Sequence, residues 1–379
     1  MRVVHAYKIS KPEMEGGIPE VIDILASGLA ARGLENEIVV ARARGLGRIE
    51  TYHGVKVSRS ASLGDVLSLP ISPTYPFLLK GRVKTADIVA LHTPFPLADP
   101  VAAFLPPHQG LIVHWHADIV RQKRSAALLA PLRRAMLERA DRIIVAHKSI
   151  LESNDTLDAY REKIVIIPYG IDVKEWEQET LEDRAVIDRL RTEHPVLFVA
   201  IGRLVTYKGF DVLLEAMTRV RGHLIICGEG PERERLHAMI EAENLAAKVT
   251  LTGKVTPQEM RCYLKAATSF VFPSITAAET FGIVQLEAMA AGTAIINTAL
   301  STAVPDIARD QKEALTVTPG HVAELANAMQ VMATNPSLRN RLAEAGRVRV
   351  QQEYSDASYV DKTLACYRDL YRTLNPQNQ

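Results

Sequence analysis

Short runs of β-branched and aliphatic residues alternate with amphipathic helical stretches along almost the whole chain. No other feature constrains the fold as tightly. In the first half, strand-like runs occupy 2–7, 37–42, 55–59, 87–92, 110–116, 142–147 and 163–168. Between them lie stretches such as 19–32, which places Ile22, Leu25, Ala26 and Leu29 on one helical face. Alternation of this kind predicts a parallel sheet covered on both faces. The second half repeats the plan, with strands at 196–202, 223–227, 248–252, 269–273 and 294–297, each leading into a loop rich in Gly, Pro or Ser. A charge-dense segment at 169–192 separates the halves. At 379 residues the chain exceeds one hydrophobic core. The expected fold is therefore α/β, two Rossmann-like domains covering 1–172 and 173–354. Their carboxyl strand ends would face an interdomain cleft, and a last helix is expected at 355–374.

Composition narrows the function classes. A net charge of +1 argues against a nucleic-acid binder working through bulk electrostatics. Cys227, Cys262 and Cys366 are widely spaced, which suits a reducing compartment and offers neither a disulfide framework nor a metal set. No apolar run approaches the ~20 residues of a membrane span, and the first residues read as a strand rather than a signal peptide. The expected location is the cytoplasm.

The stretch 272–297, FPSITAAETFGIVQLEAMAAGTAIIN, carries two acids with seven residues between them, Glu279 and Glu287. It predicts a strand end, a loop, a helix of about three turns and another strand. Three and four residues from Glu287 stand Ile283, Val284, Ala290 and Ala291, with no Lys or Arg among them. A carboxylate on that face either reaches water at the edge of the stripe or accepts hydrogen bonds from a ligand, as acids in dinucleotide folds do from a ribose. Glu279 precedes the helix and reads either as a cap or as a ligand contact.

Four further stretches sit at strand ends. In Lys11–Pro19 the adjacent Gly16 and Gly17 permit close backbone approach, and Pro19 suits the first helical position, so the helix start could receive an anion; a plain loop fits equally. In Gly202–Gly209, GRLVTYKG, Arg203 and Lys208 crowd the positive end of the next helix, an arrangement that a diphosphate would turn from repulsion into stabilisation. The loops Gly228–Pro231 and Gly253–Val255 could accept a flat ring against their backbone or be ordinary turns. In VHWHAD, His114 and His116 share one strand face. Zinc ligation there lacks a third ligand at suitable spacing, which leaves a structural histidine or a polar cluster in which His116 or Asp118 touches substrate. One segment is strongly basic: Arg121–Arg142 holds seven Lys/Arg against Glu138 and Asp141, a charge of +5 that leaves about −4 for the rest. With Leu128, Leu129, Leu132, Ala135 and Met136 as a stripe, it reads either as a helix lying on anionic lipid or as a core-facing helix with a solvated basic side.

With these residues in place, the chain resembles a retaining glycosyltransferase of family 4, a group with the two-domain GT-B fold. The marks are Gly16-Gly17, GRLVTYKG, GEGP and, above all, the acid-seven-acid arrangement ETFGIVQLE. HWHADIVRQKR resembles a bacterial subgroup that includes O-antigen and exopolysaccharide mannosyltransferases. The resemblance implies that Arg203 and Lys208 hold the donor diphosphate, Glu287 accepts ribose hydroxyls, and Glu279 bonds the transferred sugar. It further implies His116, with Asp118, beside the sugar hydroxyls, Gly228 and Val255 around the donor base, and Gly16 and Gly17 where phosphate and acceptor approach. The last helix, 355–379, would pack back on the first domain. Ala277, Ala278 and Asp310–Ala314 depart from the family pattern. The implied reaction moves a hexose, mannose from GDP-mannose as first choice, to a growing glycan, with no metal or other cofactor. A polyprenyl-linked acceptor would bring the enzyme to the inner face of the cell membrane, with Arg121–Arg142 touching it. Rival readings are a non-hydrolysing nucleotide-sugar epimerase, which would need no acceptor, and a non-catalytic scaffold, which retention of both acids and both cations speaks against.

Overall fold

The structure is a computed structural model and describes residues 1–14, 16–66, 69–116 and 123–378. The chain divides into two compact units, Met1–Ile171 together with Asp356–Gln379, and Asp172–Ser355.

In the first unit the strands are β1 (Arg2–Ala6), β2 (Glu35–Ala41), β3 (Arg48–Tyr52) and β4 (Val55–Ser60), then a small hairpin of β5 (Asp65–Val66) and β6 (Leu69–Pro70). They continue with β7 (Ile88–Thr93), β8 (Gly110–Trp115), β9 (Arg142–Val145) and β10 (Ile164–Ile166). The main sheet runs β10-β9-β8-β7-β1-β2-β4-β3 and is parallel except for β3 on β4. Its central strands are aliphatic along their whole length because both faces are covered: Val3, Val4, Val89, Leu111 and Ile112 have no exposed surface. The edge strand β3 was not anticipated. Its sequence, RIETY, mixes charge with an exposed Ile49, as an outer strand tolerates.

The second unit holds β11 (Leu197–Ile201), β12 (His223–Cys227), β13 (Val249–Gly253), β14 (Ser269–Val271), β15 (Ile295–Thr298) and β16 (Ala314–Val317). All its pairings are parallel, in the order β13-β12-β11-β14-β15-β16. The short β16 was missed because it is only four residues long. One core unites Phe198, Leu213, Met217, Ile226, Ile296 and Met329. Thr180 and Thr256 each form a reciprocal capping box, starting the helices Leu181–Glu193 and Pro257–Ala266.

Two helix expectations change, and the last helix lies where it was expected. The first helix begins at Gly17, so Pro19 occupies its third position, where a backbone N–H would still lack an intrahelical partner. The helix carrying Glu287 runs only from Ile283 to Ala290, started by Gly282 in a left-handed conformation (φ 80°). The final helix, Asp356–Leu374, packs on the helix Gly17–Ala31, where Gly28 leaves room for Val360 and Arg32 Nε donates to Asp361 Oδ1 at 2.6 Å. Among the described residues no helix is long and apolar enough to cross a membrane.

Candidate functional site

In the second sheet β11 and β14 are neighbours, and the chain leaves them toward opposite edges. That is a topological switch point, where two strand-end loops diverge and leave a crevice. The loop after β11 supplies Lys208 and the loop after β14 supplies Glu279. Lys208 Nζ meets Glu279 Oε2 at 2.5 Å, with both side chains about nine-tenths buried. Ser274 Oγ donates to the same carboxylate oxygen at 3.2 Å. The Lys208 stem crosses Gly202, and its ammonium sits 4.9 Å from the centre of the Phe272 ring.

The two loops are fastened to each other. Ile275 N–H donates to Tyr207 O at 2.8 Å. Gly209, at φ 67°, lies so close to the other loop that a Cβ there would fall 2.2 Å from Pro273 O. Behind the acid-bearing loop is a buried polar scaffold that sequence reasoning missed. Thr298 Oγ1 donates to Ser274 O at 2.7 Å, and Asn297 Nδ2 donates to Gln285 Oε1 at 2.9 Å and to Ala308 O at 2.8 Å. Thr316 Oγ1 closes the set by donating to Asn297 Oδ1 at 2.7 Å. The available signal was a lone Gln in IVQLEAMA and a lone Asn ending AIIN, polar groups inside apolar elements that must be satisfied once buried.

Glu279 is not a helix cap. Gly282 caps the helix Ile283–Ala290, and the carboxylate of Glu279 turns to Lys208 instead. Glu287 is half-buried on that helix. Arg203 is exposed, and among the described residues its guanidinium has no hydrogen bond or ion pair, so a cation stands uncompensated beside the switch point. Gly228 follows β12, and its missing side chain is accounted for by the protein itself: a Cβ would lie 2.0 Å from Gly202 O. Val255 is half-buried after β13, immediately before the cap Thr256.

In the first unit, Gly16 starts the helix Gly17–Ala31 with φ 138° and no side-chain cap, and a Cβ there would meet nothing within 4 Å. The helix start is thus open, in contrast to Gly209. Glu20 in its first turn pairs with Lys11.

His116 has partners within the protein. It is 4% exposed, and both ring nitrogens are engaged by the protein: Nε2 with His92 Nδ1 at 2.9 Å, Nδ1 with Tyr169 OH at 2.6 Å. A direct ring-nitrogen contact with a sugar hydroxyl would need this arrangement to break. The file continues from His92 Nε2 to His5 Nδ1 at 3.1 Å, while His114 Nε2 meets Tyr367 OH at 2.7 Å. Burial holds all four imidazoles neutral, with His5 and His116 pushed down to about 3. The rings are bonded to one another in sequence, and no set of three or more His, Cys, Asp or Glu that could hold a metal occurs among the described residues. Asp118 lies outside the described residues.

Of the basic segment, Arg121 and the side chains of residues 123–128 lie outside the described residues. In the helix Lys123–Arg139, Met136 and Leu137 are fully buried, whereas Ala135, assigned to the stripe, is exposed. Arg134 pairs with Glu138, Arg139 with Asp141, and Arg142 with Asp369.

Two α/β units, the second with a paired lysine and acid at its switch point and an exposed arginine on the same loop, are the parts of a sugar-nucleotide transferase of the GT-B fold. The chain belongs to the glycosyltransferases: residues 15–175 match Glycosyltransferase Family 4, and residues 184–349 match Glycosyl transferases group 1. It is 28% identical to O-antigen chain mannosyltransferase C of Escherichia coli over 99% of each chain. It is 27% identical to D-rhamnosyltransferase WbpZ of Pseudomonas aeruginosa, over 94% of this chain and 92% of the relative. Among solved structures, sucrose-phosphate synthase from Thermosynechococcus elongatus superposes with a TM-score of 0.81 at 21% identity, covering 98% of this chain and 99% of that one.

Proposed function

We propose that this enzyme is a retaining hexosyltransferase of cell-surface polysaccharide synthesis. It moves mannose, from GDP-mannose, onto a growing O-antigen-type glycan carried on a lipid. The observation that carries the reading is the Lys208–Glu279 pair at the switch point, with the uncompensated Arg203 on the same loop as Lys208. Lys208 and Arg203 bind the donor diphosphate and offset the charge that gathers on it as the glycosidic bond breaks, the place where fixed cations lower a barrier most. Glu279, anchored by Ser274, bonds the hydroxyls of the departing sugar. Glu287 accepts the ribose hydroxyls, Gly228 and Val255 border the base, and the open helix start at Gly16-Gly17 receives phosphate or acceptor. The two cations take the part a metal ion plays elsewhere, so turnover should persist in EDTA. The names of the relatives, a mannosyltransferase and a D-rhamnosyltransferase, support a hexose or deoxyhexose donor and an O-antigen setting.

The test is a thermal-shift screen of GDP-mannose, UDP-glucose and UDP-N-acetylglucosamine, followed by product analysis with and without a lipid-linked oligosaccharide. A donor held at 100 times its dissociation constant stabilises the folded state by about 2.7 kcal/mol. The expected result is a shift with GDP-mannose, turnover only with acceptor, and an α-linked product. Conversion of donor alone would make the enzyme an epimerase, and no donor binding would leave only a scaffold.

A further inference from the structure

Exposed apolar side chains that the reaction does not use gather on the first unit. Seven of the eleven exposed large hydrophobic side chains among the described residues fall between Leu46 and Phe104. The fold gathers them. An antiparallel bridge between Gly45 and Ser62 sets Leu46 (83% exposed) near Leu63 (74%). Reciprocal backbone bonds, Leu63 N–H to Ile71 O and Ile71 N–H to Gly64 O, add Ile71. Thr74 Oγ1 then donates to Ala61 O and leads into the helix Tyr75–Val83, which exposes Phe77 (78%). Lys80 of that helix stands 4.7 Å from the ring centre of Phe104. An open groove between β3 and the helix, bordered by Ile49 and Leu78, runs through the patch.

Exposed apolar side chains gathered in this way mark a contact surface. Its charge selects the partner. Arg44, Lys80 and Lys84 are exposed, and among the described residues none of them has an ion pair. Arg48 is the exception, pairing with Glu13 and Glu50, and the exposed acid of the region is Asp65. A second copy of the chain docking here about a two-fold axis would bring these unpaired cations toward their own counterparts. A bilayer containing anionic lipid fits instead: apolar side chains enter the headgroup boundary and the cations take the lipid phosphates. The basic helix Lys123–Arg139 is the weaker candidate, since of its described cations Arg134 and Arg139 have acid partners and Arg133 is half-buried.

We infer that the surface formed by residues 44–49, 61–66 and 69–72 and the exposed side of the helix Tyr75–Val83 seats this enzyme on an anionic membrane. That seating would carry the lipid-linked acceptor of the proposed reaction, but it does not depend on which sugar is moved.

Co-sedimentation with vesicles of phosphatidylcholine plus phosphatidylglycerol, against phosphatidylcholine alone, tests it. The wild-type chain is expected to partition onto the anionic vesicles and to be released by salt. Two double variants attack the surface independently, Leu46→Ser with Phe77→Ser and Arg44→Glu with Lys80→Glu. Each should lower partitioning by roughly tenfold or more, since one cation near such a surface is worth about fivefold. All four side chains are exposed, so thermal unfolding and nucleotide-sugar binding should be unchanged in both. Equal binding to the two vesicle types, or variants that bind as the wild type does, would overturn the inference. So would a solution dimer, seen by light scattering, that the Leu46→Ser, Phe77→Ser variant splits. Vesicle binding without any nucleotide-sugar binding would sink the proposed reaction and leave the membrane surface standing.

Discussion

At the scale of single residues, the two cations of the β11 loop should separate cleanly under mutation. Lys208 is folded into the protein: its ammonium is held by Glu279 and lies over Phe272. Lys208→Ala leaves a largely buried carboxylate with Ser274 as its remaining hydrogen-bond donor, and should destabilise the second unit by about 1–3 kcal/mol. Arg203 is exposed and its side chain makes no hydrogen bond or ion pair among the described residues, so Arg203→Ala should leave stability within about 0.5 kcal/mol. If both cations bind the diphosphate, each variant should still lose on the order of 10²–10³ in kcat. Denaturant unfolding alongside steady-state kinetics checks the pair; equal stability losses, or full activity in either variant, would break the assignment. The residue types at this site were legible because GRLVTYKG and the spaced acids are dense with chemistry. Their pairing was not. Seventy residues separate Lys208 from Glu279, and only the strand order brings β11 beside β14.

At the scale of elements, the strands could be read almost everywhere that burial on both faces forces an unbroken aliphatic run. They failed where that force is absent, at the half-exposed edge β3 and the four-residue β16. Helix boundaries drifted for a related reason. Periodicity locates a helix, but its end is set by one capping residue, and Gly282 in place of Glu279 shortened the expected helix to Ile283–Ala290. Two loops, one in each unit, depend on a glycine for opposite reasons. Gly209 has a left-handed backbone and the Pro273 carbonyl where a Cβ would go, so Gly209→Ala should push the two loops apart and cost more than about 2 kcal/mol. Gly16 has only its backbone conformation to defend, because open space lies before it. Gly16→Ala should cost about 1–3 kcal/mol at most, yet raise the KM for acceptor or donor if a ligand occupies that space. Unfolding curves and KM values for the two variants give the comparison, and an unchanged KM in Gly16→Ala would remove the helix start from the site.

For the molecule as a whole, the return of the final helix to the first unit was implied by resemblance alone, and nothing in local sequence shows the layer it covers. That layer is the file His5–His92–His116–Tyr169 with His114–Tyr367, assembled by register: His92 lies directly opposite His114 across β7 and β8. Removing the Tyr367 hydroxyl (Tyr367→Phe) leaves His114 Nε2 buried without its partner, an expected loss of about 1–3 kcal/mol. Acid should act on the same layer. Each imidazole stays neutral in the folded chain, with His5 and His116 lowered to about 3 and the other two well below their ordinary value. The unfolded chain protonates near 6.5. Between those limits the unfolded state binds more protons, so stability falls as pH falls, by up to about 1.4 kcal/mol per pH unit for each histidine. Asp99 opposes this in part: burial raises it to about 7, so the folded state holds its extra proton from near 7 down to the ordinary carboxylate range. Three net protons remain, a slope of roughly 4 kcal/mol per unit around pH 5. Trp115 lies in the first unit and Trp176 in the second, both buried. Single-tryptophan variants can therefore follow each unit by fluorescence in urea. The midpoint reported by Trp115 should drop steeply from pH 7 to pH 5, and His5→Phe should flatten that drop by about one proton. A first unit as stable at pH 5 as at pH 7 would mean that the buried histidines already carry charge, and the hydrogen-bonded file would have to be redrawn.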